Sequence, residues 1–317
     1  MHSDRSAPVS IGVFLAVLLL ALSIGSPDFF TRDNVLDVLT SASYLSLIGL
    51  GMMVVVLTGH IDVSLGAVVT VCAVAGAELA THGVPLLAVI ALTVALGAGL
   101  QVINAVLVTR FAISSIIVTL GTASIFTGML IKLTDGGAQI VGLPQSYLDL
   151  AQGKLLGIPH PVLFAAVALG LAGLAFRSLP AARALFAVGS NDEAARLAGV
   201  RVRTAVAAAF VINGMLAAFT ALLVSSEIGS VQSDVGTPMT LQAISVAVVG
   251  GTNVFGGSGS VLGVAMAAVL LQTIATALTY FSVDPLWQQA VQGAFIVLAL
   301  AVYTVRARRS PGALAHA

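Results

Sequence analysis

Asp62 is the side chain of this sequence that is best placed to do chemistry, because few charged residues interrupt its apolar stretches. It lies in the segment HIDVSLG between two apolar runs, two residues before Ser64. A carboxylate at membrane depth is costly unless it is paired or reaches water. Asp62 therefore predicts either a site that lines a transport pathway or a cap for the helix that begins near Ser64. His60, in the same segment, is more typical of an interfacial side chain than of a metal ligand.

Amide and hydroxyl side chains on neighbouring apolar runs extend this set. Gln101 and Asn104 are one helical turn apart and share a face, which favours helix packing, with hydrogen bonding to a polyol as the alternative. Thr119 and Thr122 also share a face and can line a path or bond back to their own helix. Asn253 lies in a glycine-rich stretch and is expected to cap a break between two helices. The candidate residues of a translocation path are Asp62, Ser64, Asn104, Thr119, Thr122 and Asn253.

The sequence offers little for other kinds of chemistry. It places no Ser/His/Asp set and no group of metal ligands at useful spacing, and it has no G-x-x-x-x-G-K-[ST] motif for ATP. We therefore expect no catalytic site, no metal site and no cofactor in this chain. Its 13 basic and 13 acidic residues balance, which predicts no nucleic-acid partner.

A polar island, residues 186–203, separates two long apolar runs and reads FAVGSNDEAARLAGVRVR. Ser190 and Glu193 form the S-x-x-E pattern of a capping box, and Gly199 suits the position just past a helix end. The pattern predicts a helix of about two turns over 191–198. Its apolar face is too small to bury itself and could dock on another protein, with an ordinary amphipathic loop as the alternative. That face consists of Ala194, Ala195, Leu197 and Ala198.

The composition predicts that a membrane-embedded bundle positions these elements. Of the 317 residues, 58% are hydrophobic and 8% charged, against about 25% charged residues in soluble domains. We therefore expect an all-α, polytopic membrane protein of about ten transmembrane helices, each built on about 20 apolar residues. The eighth segment is too short to cross as a plain helix and is expected to be broken or re-entrant. The expected segments are 10–24, 42–57, 65–80, 85–109, 114–133, 161–176, 204–225, 240–251, 260–280 and 286–305.

Basic residues orient these segments. With the N-terminus inside, three basic residues (Arg32, Lys132 and Lys154) lie on the outer side and ten on the inner side. The positive-inside rule then places both termini, the polar island and a basic tail, 306–317, in the cytoplasm. Residues 31–40 are expected to form an outer or interfacial segment, and 134–160 an outer loop. The inner basic residues are Arg5, Arg110, Arg177, Arg183, Arg196, Arg201, Arg203, Arg306, Arg308 and Arg309.

Four stretches of the chain, in this order, resemble the ribose-type permeases of ATP-binding cassette (ABC) importers, which carry simple sugars or autoinducer-2. They are 57–66 (LTGHIDVSLG), 115–128 (SIIVTLGTASIFTG), 187–202 (AVGSNDEAARLAGVRV) and 248–263 (VVGGTNVFGGSGSVLG). The likeness covers nearly the whole chain. It implies a type II importer-like fold, with one transmembrane permease domain over 1–317 and a cytoplasmic coupling loop at 177–203.

The resemblance also implies the partners of the chain. ATPase subunits would hydrolyse ATP in the cytoplasm, a second permease would complete a central path, and a periplasmic binding protein would deliver the sugar. The permease would lie in the inner membrane of a bacterium, in contact with membrane lipid. The residues implied to couple it to the ATPase are Ser190, Asn191, Glu193, Ala194, Ala195, Arg196, Leu197 and Gly199.

A proton-coupled secondary transporter of a small polar solute is the alternative function. Such a transporter would need ionisable side chains deep in its spans. Asp62 and Glu78 are the only candidates in this sequence, and this scarcity disfavours the alternative.

Overall fold

Helices account for most of the computed structural model, which describes residues 6–137 and 139–282 together with 287, 290, 293 and 294. The mostly helical fold expected from the sequence is confirmed. The first half contains α1 (Ser6–Gly25), a 3-10 turn (Pro27–Phe30), α2 (Arg32–Val56), α3 (Leu65–Thr81), α4 (Leu86–Phe111) and α5 (Ser115–Leu133). The second half contains β1 (Gln139–Ile140), α6 (Gln145–Gln152), β2 (Lys154–Leu155), β3 (Ile158–Pro159), α7 (His160–Ser178), α8 (Pro180–Ser190), α9 (Asp192–Leu197), α10 (Val202–Ile228), β4 (Val231–Gln232), α11 (Met239–Val249) and α12 (Val261–Tyr280).

Six of the described helices are long and apolar enough to cross a membrane, namely α2, α4, α5, α7, α10 and α12. Shorter apolar helices lie within α1, α3 and α11. The tenth expected segment, 286–305, lies almost entirely outside the described residues, and the basic tail 306–317 lies outside them completely. A total of about ten crossings therefore stays a prediction.

Residues 31–40 are continuous with the second expected segment, and their outer or interfacial position stays a prediction. They are the start of α2, which Thr31 caps by accepting a hydrogen bond from the backbone of Asn34 (3.3 Å). No proline or glycine follows before Gly49, so nothing stops the helix between its polar start and its apolar remainder. The second span is consequently longer than its apolar run.

The eighth segment is a short helix preceded by irregular backbone. α11 has 11 residues, or about 17 Å at the rise of an α-helix, which is little more than half of the bilayer core. Before it, Gly236 packs on Gly66 of α3 so closely that a Cβ on either residue would overlap the carbonyl oxygen of the other. Thr70 Oγ1 accepts a hydrogen bond from Gly236 N (3.0 Å), and Thr240 Oγ1 accepts one from Gly66 N (2.8 Å). Side-chain hydroxyls thus pair with backbone N–H groups that have no partner within a helix.

α10 lies at the centre of the bundle, packed against α2, α3 and α4. It crosses α4 where Gly214 meets Gly97, and a Cβ on either glycine would overlap the carbonyl oxygen of the other. Small residues let helix backbones approach in a membrane, where van der Waals packing is a main source of association. This crossing fixes α4 and α10 relative to each other.

Gly97→Ala is expected to destabilise the fold by about 1–3 kcal/mol, because the added methyl group must push two helices apart. Gly99 lies on the same helix with open space around it. Gly99→Ala is therefore the matched control and should be neutral or slightly stabilising. Thermal unfolding of both variants in one detergent measures the difference, and equal melting temperatures would contradict the close contact.

The loop expected on the outer side, 134–160, is joined to the loop that follows α10, 229–238, at one end of that helix. β1 pairs with β4, with Gln139 opposite Gln232. Tyr147 of α6 shares a hydrogen bond with Ser225 of α10 (Oη to Oγ, 2.6 Å), and Ser226 Oγ donates to the Tyr147 carbonyl (2.8 Å). The other end of α10, at Val202, follows α9. The polar island and these two loops therefore lie at opposite ends of the same helix.

Candidate functional site

The chain between α2 and α3 is irregular, and we call residues 57–64 the interrupted segment. Gly59 has φ = 78°, in the left-handed region that glycine adopts without strain, and it turns the chain away from the axis of α2. His60 Nδ1 donates to the carbonyl oxygen of Thr58 (2.9 Å). This hydrogen bond holds the His60 side chain against the backbone of its own segment.

Asp62 is completely buried and accepts four hydrogen bonds. Oδ1 accepts from the backbone N–H of Ser64 (2.8 Å) and from its Oγ (2.6 Å). Oδ2 accepts from Asn213 Nδ2 (2.7 Å) and from Gln101 Nε2. Four donors match the acceptor capacity of an ionised carboxylate. Asp62 therefore ties the start of α3 to α4 and α10.

The amides on α4 continue this network towards α5. Asn104 Nδ2 donates to Ser64 Oγ (2.8 Å) and to Gln101 Oε1 (3.0 Å). Thr122 Oγ1 donates to Asn104 Oδ1 (2.7 Å). We call this connected group the polar cluster. Its members are Asp62, Ser64, Gln101, Asn104, Thr122 and Asn213.

Hydroxyl groups from two other elements satisfy the backbone of the interrupted segment. Ser115 Oγ accepts from Ile61 N (3.2 Å), and Thr119 Oγ1 accepts from Val63 N (2.9 Å). Thr240 Oγ1, which accepts from Gly66 N, also donates to the Val63 carbonyl (3.3 Å). An unpaired backbone group away from water costs free energy, so these hydroxyls permit irregular backbone here.

The polar cluster lies near the middle of the bundle. Asn213 is about 17 Å along α10 from its first residue, Val202, and Gln101 is about 15 Å from the last residue of α4, at 1.5 Å per residue. The hydrocarbon core of a bilayer is about 30 Å thick. Buried polar groups at this depth are expensive and mark functional elements of transporters.

Most of these residues were identified from the sequence as candidates. The structure brings five of the six candidates for the translocation path together. Asp62, Ser64, Asn104 and Thr122 belong to the polar cluster, and Thr119 lies beside it. Asn253 lies elsewhere: its Oδ1 accepts from Phe255 N (3.0 Å) in the turn between α11 and α12. No described hydrogen bond joins Asn253 to the polar cluster.

Two further residues were missed by sequence reasoning. Asn213 is an amide inside an otherwise apolar span, and that isolation is a signal that could have identified it. Its Oδ1 has no hydrogen-bond partner among the described residues. Thr240 is one of several hydroxyls near the start of a short helix, and nothing in the sequence distinguishes it from its neighbours.

The polar island contains the end of α8, the whole of α9 and the first residues of α10. The predicted capping box is wrong: Ser190 is the last residue of α8, and its Oγ donates to the Phe186 carbonyl (2.8 Å). A residue inside one helix cannot adopt the non-helical backbone of an N-cap for the next. Asn191 takes that position with φ = −164°, and its Oδ1 accepts from Ala194 N (2.8 Å).

The end of α9 agrees with the prediction. Gly199 has φ = 83° and donates to the Arg196 carbonyl (3.0 Å). Val200 N donates to the Ala195 carbonyl (3.0 Å). These two hydrogen bonds form a Schellman motif, for which a glycine is the usual residue. The predicted role of Gly199 as a helix stop is confirmed.

The apolar residues of α9 divide between two faces, contrary to the single exposed face that was expected. Ala195 is buried, whereas the side chain of Leu197 is 85% exposed. Successive helical residues point about 100° apart, so 195 and 197 face nearly opposite directions. Ala195 therefore anchors α9 to the body of the protein, while Leu197 projects from it. Asp192 and Arg196 form an exposed ion pair (3.6 Å).

Comparison with known proteins identifies the family of this chain. Residues 34–300 match the profile of the family described as the permease component of branched-chain amino acid transport systems. The chain belongs to this family. It is a transport permease, not an enzyme, and the match favours this function over a proton-coupled secondary transporter. The match supports a multi-pass membrane protein, in agreement with the six candidate spans.

Relatives of this permease are similar over nearly its full length. It is 35% identical to the autoinducer 2 import system permease protein of Klebsiella pneumoniae over 94% of this chain and 85% of the relative. It is 33% identical to the corresponding Enterobacter protein over 95% and 88%. It is 29% identical to the ribose import permease protein of Haemophilus influenzae over 91% and 90%. No solved structure matches the chain. The family and these relatives establish the permease component of an ABC importer.

Proposed function

We propose that this permease imports a simple sugar or a sugar-like signal and that α9 docks on a cytoplasmic ATPase. The observation that supports the coupling role is the way in which α9 is capped, anchored and exposed. The helix is capped at both ends, is anchored through Ala195 and presents Leu197 to its surroundings. A short, rigid helix with one projecting leucine is suited to a groove of a partner protein. The names of the relatives support the substrate class.

The coupling surface in this proposal is the part of the polar island around α9. Asn191 and Gly199 fix its two ends, and Ala195 fixes its position. The exposed Glu193, Arg196 and Leu197 would contact the ATPase. The full set is Ser190, Asn191, Glu193, Ala194, Ala195, Arg196, Leu197 and Gly199.

The remaining parts of the proposal concern assembly and orientation. Residues 1–317 form one permease domain in the inner membrane, with the coupling loop 177–203, the tail 306–317 and both termini in the cytoplasm. The ATP is hydrolysed by ATPase subunits, a periplasmic binding protein delivers the solute, and a second permease completes the path within the lipid bilayer. The separation of the polar island from the outer loops along α10 supports this orientation, together with the distribution of arginines.

The polar cluster in this proposal shapes the wall of the path. Asp62, Ser64 and Asn104 are fully buried and bonded to one another or to neighbouring amides, and Thr119 and Thr122 hold α5 against them. Their hydrogen bonds keep the interrupted segment in place at mid-depth, where discontinuous helices form the substrate sites of many transporters. Asn253 would shape the turn between α11 and α12.

Glu193→Ala and Arg196→Ala test the coupling role. The exposed ion pair of Arg196 stabilises α9 very little, so the variants should keep the helix and lose only partner contacts. We expect the ATP hydrolysed per solute imported to rise severalfold in proteoliposomes that contain the purified complex and its binding protein. Arg110→Ala, which removes an exposed arginine at the end of α4, is the control.

Two results would decide against the coupling role. One is unchanged solute-stimulated ATPase activity and uptake in both variants at normal expression. The other is uptake by the permease alone, in liposomes that contain neither ATP nor an ATPase.

A further inference from the structure

Three parts of the chain, one of them the polar island, meet at a backbone contact. The end of α2, the end of α8 and the turn between α11 and α12 come together there, and Gly257 N donates to the carbonyl oxygen of Leu57 (3.0 Å). We call this contact the glycine junction. Its residues are Leu57, Gly59, Gly189, Gly256 and Gly257.

No side chain separates the backbones at the glycine junction. A Cβ on Gly189 would overlap the carbonyl oxygen of Leu57 and crowd the backbone nitrogen of Gly257. A Cβ on Gly256 would lie 2.8 Å from Gly59 N and 2.9 Å from the Cα of Gly189. Close-packed backbone has no rotamers through which it can yield, so displacement of one part must displace the others.

Each part of the junction leads to a different functional element. Gly189 is followed within three residues by α9, and Leu57 begins the interrupted segment that carries Asp62. The turn between α11 and α12 is itself closed by a contact in which a Cβ on Gly263 would overlap the Gly250 carbonyl. The junction is thus the point where the polar island touches both irregular elements of the bundle.

We propose that Gly189 is a positioning residue whose backbone contact passes movement of α9 to the interrupted segment and to the turn between α11 and α12. The contact makes these three parts one mechanical unit. Movement of α9 then shifts Leu57 and, through the short chain after it, the polar cluster. This inference deepens the proposed function and rests on the docking of α9 on an ATPase.

Gly189→Ala tests the inference, with Gly173→Ala as the matched control. Gly173 lies in α7 with no atom within 4 Å of an added Cβ. The assay uses the complete complex in proteoliposomes, with whichever of labelled ribose or autoinducer-2 the unaltered complex takes up. We expect Gly189→Ala to retain the ATPase and its basal hydrolysis but to import at least tenfold less solute per ATP. Gly173→Ala should match the unaltered complex.

An unchanged import ratio in Gly189→Ala would overturn the inference. If Glu193→Ala and Arg196→Ala uncouple the complex in the same assay, only the glycine junction fails and the proposed function stands. If those two variants also leave coupling unchanged, the docking of α9 fails and this inference fails with it.

Amide hydrogen exchange of the unaltered complex decides the question if Gly189→Ala does not fold. We expect peptides that contain 57–60 and 255–258 to keep equal protection in the nucleotide-free and the nucleotide-trapped complex, because a unit that moves as one body keeps its internal hydrogen bonds. A change of tenfold or more in their exchange between the two states would show that the junction opens, and would overturn the inference.

Discussion

Asp62→Leu is expected to abolish accumulation of folded permease. The substitution leaves buried donors of Ser64, Gln101 and Asn213 without an acceptor. Each buried neutral donor left unpaired costs about 1–3 kcal/mol, so the loss of several is a large part of the stability of an ordinary domain. The yield of monodisperse protein in mild detergent and its melting temperature measure the effect.

The control for Asp62→Leu is Asp37→Leu, because Asp37 is an exposed carboxylate on α2. It should leave the yield unchanged. Asn213→Ala removes a single donor to Asp62 and should cost less, about 1–3 kcal/mol. If Asp62→Leu purifies with the melting temperature of the unaltered protein but does not transport, Asp62 acts on the solute and the structural role argued here is wrong.

The burial of Asp62 explains how a membrane protein can hold irregular backbone at mid-depth. Water is absent there, so each N–H freed by ending α2 needs a partner from the protein. Ser115, Thr119 and Thr240 supply acceptors from α5 and α11. The hydroxyl groups at the start of α5 thus form hydrogen bonds with the backbone of the interrupted segment. The carboxylate of Asp62 fixes this segment to α4 and α10, the two helices that cross at their glycines.

Features that depend on nearby residues could be predicted from the sequence. The apolar runs gave nine of the helices approximately, since apolar length decides what can cross a bilayer. The end of α9 could be predicted because Gly199 meets a local backbone requirement. The pairing of Gln101 with Asn104 followed from their spacing along one helix.

Features that depend on distant residues could not be predicted in this way. Asp62 and Asn213 are 151 positions apart, and only the packing of α10 brings them together. Ser190 and Asn191 are both good N-caps, and the choice between them depends on how far α8 extends. The burial of Ala195 and the exposure of Leu197 are likewise set by how α9 lies on the bundle.

Leu197→Asp is expected to weaken ATPase binding about 100-fold, which corresponds to about 2.7 kcal/mol. Leu197 is the only large apolar side chain of α9 and is 85% exposed, and burying a leucine side chain completely is worth about 1.5–3 kcal/mol. An aspartate there would have to be desolvated on docking. Co-purification of the ATPase with the tagged permease, followed by binding titration in detergent, measures the loss.

Leu156→Asp is the matched control for Leu197→Asp, because Leu156 is 95% exposed in the loop between β2 and β3, at the opposite end of the bundle. Both variants add one surface charge and remove one exposed leucine, so expression and melting temperature should be alike. Only the variant in α9 should lose the ATPase. If both retain it, Leu197 is a solvated side chain; if both lose it, the effect is a general loss of fold. Selective loss at Leu197 assigns the contact to α9, whose attachment through Ala195 would pass the force of docking into the bundle.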